Sequence, residues 1–113
     1  MRTVTGNIVL PANAPTVNAD QILIEVRDIS LADAPSTVIA HERLDDVALK
    51  PNGQVRFKIP VPEVESNRRL SLRVHVNLDG SGRTNSGDLL TTASHPIPNT
   101  GTPAPLEVPV VVI

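Results

Sequence analysis

Arg69-Leu70-Ser71-Leu72-Arg73-Val74-His75-Val76-Asn77-Leu78 alternates apolar and polar residues without a break. A period of two is the spacing of a strand with one face buried, because successive side chains point to opposite faces. Leu70, Leu72, Val74, Val76 and Leu78 are therefore expected to face a core, and Ser71, Arg73, His75 and Asn77 to face water. Wound as a helix, the same residues would scatter apolar groups on all sides. An all-β fold follows from this stretch, and the rest of the chain supports it.

Outward from there the pattern repeats less purely. Thr3 to Leu10 is predicted as the first strand, with Val4, Ile8 and Leu10 inward. The second runs from Gln21 to Ile29 with Ile22, Ile24 and Val26 inward; Leu23 interrupts its alternation, as in a strand with neighbours on both faces. Thr37 to Leu44 and Gln54 to Ile59 are the third and fourth, the latter with Val55, Phe57 and Ile59 inward. Arg69 to Leu78 is the fifth, expected to be central in its sheet, and Asp88 to Ser94 and Leu106 to Ile113 are the sixth and seventh. Turn residues separate them at Pro11 to Pro15, Ala32 to Pro35, Pro51-Asn52-Gly53, Asp79 to Gly82 and Asn99 to Pro103. Eleven prolines and six glycines leave little room for helix, and Pro62 to Asn67 is the best place for a short helical turn. Proline cannot donate to a ladder, so Pro109 is expected at an edge or bulge, and Pro60 and Pro62 to end the fourth strand. Seven strands in 113 residues predict one β-sandwich of mainly antiparallel strands spanning residues 1–113.

Composition narrows the function. Hydrophobic residues make up 40% of the chain but aromatics only 1%, Phe57 being the single one. The core must be aliphatic, and no aromatic platform exists for stacking single-stranded nucleic acid or caging a cation. The net charge is −2 and the ten Lys and Arg are scattered, with Arg68-Arg69 the densest pair. That is too little for a phosphate-tracking stripe, so no nucleic-acid partner is expected. The absence of cysteine excludes a disulfide scaffold, a thiolate zinc site and a Cys nucleophile. No apolar run is long enough for a membrane-spanning helix. Met1-Arg2-Thr3 leads directly into strand pattern, without the apolar stretch of a secretory signal. A cytoplasmic protein, or one seen without its leader, is expected.

Groups that could carry chemistry are few. His41, His75 and His95 fall on three predicted strands and would converge on a metal only if those strands were adjacent and shared a face. They are expected to be solvated surface histidines; His75 and Arg73, on the polar face of the fifth strand, have no evident partner. The polar loop Asp79 to Asp88 superficially resembles a calcium loop, but Arg83 and Leu90 stand where oxygen ligands belong. Asp45-Asp46 and the pair Glu63 and Glu65 have no cleft to flank. There is no Gly-x-Ser-x-Gly elbow and no phosphate-binding glycine pattern. No catalytic, cofactor-binding or metal-ligating residue is assigned, no cofactor is expected, and the chain is not expected to be an enzyme.

One block is more specific. Asp28-Ile29-Ser30-Leu31-Ala32-Asp33-Ala34-Pro35, followed by Val38-Ile39-Ala40, is a strand end, an Asp-rich turn closed by proline, and the next strand. Asp28 and Asp33 are placed to accept hydrogen bonds from turn amides. The block resembles the signature of the YbaY/YscW family of envelope lipoproteins, which includes chaperones of the type III secretion secretin. The resemblance continues through Phe57-Lys58-Ile59-Pro60-Val61, Arg69 to Val76, and Gly87-Asp88-Leu89-Leu90-Thr91-Thr92 with Pro96. It implies a β-sandwich and a non-enzymatic, protein-binding or structural role in the cell envelope. In the secretin-chaperone branch it implies an envelope protein as partner, and a place in the periplasm or attached to the outer membrane. This chain lacks the family's usual signal and lipidated cysteine, and has Leu70 where the family often has an aromatic. The alternative expectation is a small-ligand or calcium-binding sandwich that uses the Asp79 to Asp88 loop.

Overall fold

The computed structural model describes residues 2–30, 35–79, 87–92, 95–101 and 104–113. The described residues form two sheets packed face to face. The smaller has the order β4-β1-β8, where β1 is Arg2–Val9, β4 is Gln54–Val61 and β8 is Leu106–Pro109. The larger has the order β3-β2-β5-β6-β9, built from Thr37–Ala48, Asn18–Asp28, Leu70–Asn77, Leu89–Leu90 and Val111–Val112; β7, Pro96–Ile97, also pairs with β5. All pairs are antiparallel except β1 with β8. The fold is the expected β-sandwich.

The alternation of the fifth strand sets its place. Leu70, Leu72, Val74 and Val76 are all buried, with β2 on one flank and β6 and β7 on the other. Ile22, Ile24 and Val26 of β2 and Val4, Ile8, Phe57 and Ile59 of the small sheet close the core from the remaining sides. Aliphatic interdigitation replaces the aromatic packing that many sandwiches use. The polar face differs from expectation. Of the residues predicted to face water, Arg73 is exposed, Ser71 and His75 are half-buried, and Asn77 is buried.

Among the described residues there are nine strands rather than seven, and proline and side-chain chemistry account for the difference. The predicted sixth strand follows β5 but is broken: the Thr91 hydroxyl accepts the Val74 amide at 3.2 Å while the Thr91 amide donates back to the Val74 carbonyl at 3.1 Å. A side chain has taken a backbone place in the ladder, and pairing resumes at Pro96–Ile97. The predicted seventh strand changes sheets. Leu106–Pro109 runs beside β1, and after the buried Val110 the chain continues as Val111–Val112 beside β6. Pro109 is the last residue of an edge strand, where its missing donor costs nothing. Pro60, expected to end the fourth strand, lies within it opposite Thr3, again on an edge. No helix forms at Pro62 to Asn67, only a single turn in which the Arg68 amide donates to the Glu65 carbonyl at 3.0 Å.

The turns follow their chemistry. In the Lys50–Gly53 turn the Gly53 amide donates to the Lys50 carbonyl at 3.0 Å. Pro51 precedes Asn52, whose φ is 57°; this is the type II arrangement, with asparagine where glycine is commoner.

Candidate functional site

The two long sides of the sandwich differ. On one, the chain itself laces the sheets together as it passes from β8 through Val110 to β9. On the other, β3 ends the large sheet and β4 ends the small one; the chain crosses between them through residues 49–53 and the two strands come within 8 Å of each other, but nothing among the described residues pairs with the outer edge of either. A cleft of about 910 Å³ opens there. Phe57 and Gly6 lie at its small-sheet wall and Glu42 and Leu44 at its β3 wall, with Arg56, Lys58 and Pro105 at its margin.

Gly6 shapes this wall. A methyl group on Gly6 would stand 2.5 Å from the Leu106 carbonyl oxygen and 2.9 Å from the Phe57 ring. Glycine is thus what allows β8 to approach β1 and the aromatic ring to lie flat across the strand. On the opposite face of β4, Arg56 and Lys58 are exposed. Their cross-strand partners on β1 are the uncharged Asn7 and Thr5, and neither cation makes an ion pair among the described residues.

The edges are unequal. The register of β3 with β2 slips once, at Val26/Arg27, leaving Ile39 extra, and Asp46, with a φ of 52°, interrupts the pairing without changing the register. A bulge such as that at Ile39 twists an edge away from new partners. β4 pairs with β1 residue for residue over its whole length.

The residues that sequence patterns singled out lie elsewhere. His41 and His75 share the outer face of the large sheet but sit on β3 and β5, with β2 between them. Among the described residues no group of three or more His, Asp, Glu or Cys could hold a metal ion. His75 is not without a partner, as its pattern suggested: its Nε2 lies 3.0 Å from Asp88 Oδ2, and Asp88 Oδ1 accepts the Leu78 amide at 3.1 Å. Asp88 is buried, so this end of the polar loop is turned inward to hold β5 and is not offered to an ion. Residues 80–86 of that loop, and Asp33 of the proline-closed turn, lie outside the described residues.

Asp28 does accept a turn amide, from Ser30 at 2.9 Å. It also accepts the Ser30 hydroxyl and an Arg68 guanidinium N–H, the latter at 2.6 Å. The Ser30 oxygen in turn accepts the Arg69 amide at 2.9 Å. The Ser30 hydroxyl and amide, with Arg68 beside them, hold the Asp28 carboxyl below the ordinary carboxylate range. The described start of the block that carries the family resemblance, Asp28 to Ser30, is thus a latch joining the end of β2 to the start of β5. It marks how the fold is fastened, and it is not on the open side.

A solved structure shares this architecture: an alternative pilotin from the type II secretion system of Vibrio cholerae, with a TM-score of 0.64 over 97% of this chain and 96% of that one, at 21% sequence identity. The likeness shows a common fold. No protein-family model and no curated protein matches the chain.

What sequence reasoning missed is the open side. Phe57 was legible as inward, but which strands end each sheet depends on the order of pairing, which alternation does not encode. The available signal was Arg56 and Lys58 on a short strand flanked by prolines, a common composition for an edge.

Proposed function

We propose that this chain is a non-enzymatic protein-binding module of the bacterial cell envelope, chaperone-like in that it holds an extended segment of a partner protein. The observation that carries this is the side of the sandwich where two strand edges, β3 and β4, have no paired neighbour among the described residues and flank a cleft that Leu44, Glu42 and the edge of Phe57 line. Exposed strand edges take up extended segments through main-chain hydrogen bonds, with alternate side chains supplying specificity. The fold shared with a secretion-system pilotin and the resemblance of the Asp28 to Pro35 block to the YbaY/YscW lipoproteins both support an envelope role and a protein partner.

The test is a titration of isotope-labelled protein with overlapping segments of an outer-membrane secretin, followed by amide chemical shifts. Saturable shifts along β3 or β4 are expected for at least one segment. If every segment leaves both edges unshifted at millimolar concentration, the proposal is wrong.

A further inference from the structure

We infer that the segment received on the open side pairs with β4 and is acidic at alternate positions, with small or apolar residues between; this rests on the protein-binding function proposed above. Three features point to this. First, of the two edges only β4 offers an uninterrupted register. Gln54 to Ile59 is free of proline, whereas the bulge at Ile39 and the left-handed backbone at Asp46 distort β3.

Second, Arg56 and Lys58 are two residues apart and therefore on one face. They are exposed and without an ion pair among the described residues. The nearest carboxylate on that face by register is Glu107 of β8, across Asn7 from Arg56. Two strand spacings put it about 10 Å away, roughly a Debye length at 0.1 M salt. A strand added to the free side of β4 would bring its own residues directly opposite these cations, with Cβ atoms about 5 Å apart, where opposite charges attract and like charges destabilise. A matching strand thus carries Asp or Glu at positions two apart.

Third, residues of the added strand that point the other way enter the cleft between Phe57 and Leu44. Glu42 stands at that wall without an ion pair among the described residues. Another acid there would be repelled, while a small or apolar side chain would lie against the half-buried Leu44 and the edge of Phe57. The inner and outer faces therefore select opposite chemistries, which is what an alternating segment provides.

Three nine-residue peptides distinguish the outcomes, with Asp, Lys or Ser at alternate positions and valine or alanine between. Each is titrated into labelled protein at low salt, and Kd is taken from the shifts of β4 amides. The Asp peptide is expected to bind at least tenfold tighter than the Lys peptide, with the Ser peptide between them, and 0.5 M salt should erase most of the gap. In the charge-reversed Arg56→Glu/Lys58→Glu protein the order of the Asp and Lys peptides should invert, and in Arg56→Gln/Lys58→Gln it should vanish. Both positions are exposed, so either variant keeps the wild-type circular dichroism spectrum. Equal binding of all three peptides on β4, unchanged by charge reversal, would overturn the acidic partner while leaving strand addition intact. Shifts confined to β3, or to the outer face of the large sheet, would overturn the choice of β4. Edge shifts that depend on protein concentration without peptide would mean that a second copy of this chain occupies the edge, and would overturn it too. If no peptide shifts either edge, while secretin segments do, the inferred chemistry is wrong but the protein-binding function survives.

Discussion

Gly6 has no room for a side chain, since a Cβ there would press on the Leu106 carbonyl and the Phe57 ring together. The carbonyl belongs to the strand paired with Gly6 and cannot rotate aside. Gly6→Ala should therefore cost about 1–3 kcal/mol, the usual range for overpacking, measured as a lower urea midpoint with unchanged slope. Asp88 presents a different balance. It is buried and accepts from the Leu78 amide with His75 beside it. Asp88→Ala strands a backbone donor and removes the imidazole's partner, and should cost about 1–3 kcal/mol in the same assay. Asp28 makes stability depend on pH. Its folded-state pKa lies below its ordinary value of 3.8 because Ser30 and Arg68 favour the carboxylate, so the unfolded chain takes up this proton first. The stabilisation from Asp28 is complete above that ordinary value, and is lost as pH falls through it toward the lower folded value. Thermal melts of wild type and Asp28→Asn from pH 7 to pH 3 should differ most near neutrality and converge in acid. Curves that stay parallel to pH 3 would mean that the Asp28 carboxylate is not stabilised by folding.

At the scale of elements, β5 carries the clearest expectation. Val74 is fully buried at the middle of a strand flanked on both sides. Val74→Asp would bury a charge with no partner, a cost that exceeds the few kcal/mol by which small domains are stable; loss of the cooperative melt is the expected result. This strand was legible in the sequence because alternation reports local geometry directly. The same holds for the inward residues of β1, β2 and β4, all of which are buried where the pattern places them. Legibility stopped where tertiary partners intervene. The buried state of Asn77 and the His75–Asp88 contact depend on which strand lies beside β5. The break after Leu90 depends on the Thr91 hydroxyl competing with backbone, and the division of Leu106 to Ile113 between two sheets depends on where β1 and β6 stand. Pro109 marked that last point, though it could signal only an edge. At the candidate site, Arg56 and Lys58 were readable as outward and Phe57 as inward, yet their joint position on an open side required the strand order.

For the whole molecule, the contrast between its two long sides is the property that bears on function. The laced side is held by short strands: Leu89 and Leu90 pair with Val112 and Val111, the Ile113 amide donates to the Asp88 carbonyl at 2.9 Å, and the Gly87 amide donates to the Ile113 carbonyl at 2.6 Å. Removing residues 111–113 would undo this ladder and expose Leu89, which is fully buried. With a few hydrogen bonds at about 0.5–1.5 kcal/mol each, the truncated chain should lose about 2–4 kcal/mol and still fold. Its hydrogen exchange should quicken at β6 and the adjoining half of β5, and remain as in the full chain along β4. Leu44→Ala, on the open side, is a gentler change because Leu44 is only partly buried. It should cost less than the truncation and leave exchange in β5 unaltered. If the truncation instead quickened exchange along β3 and β4 as much as along β6, the two sides would be coupled. A segment docking at the open edge would then have to work against the whole sandwich rather than against a local wall. Independence of the sides would let one serve as a permanent fastening while the other, on the function proposed above, receives a partner strand.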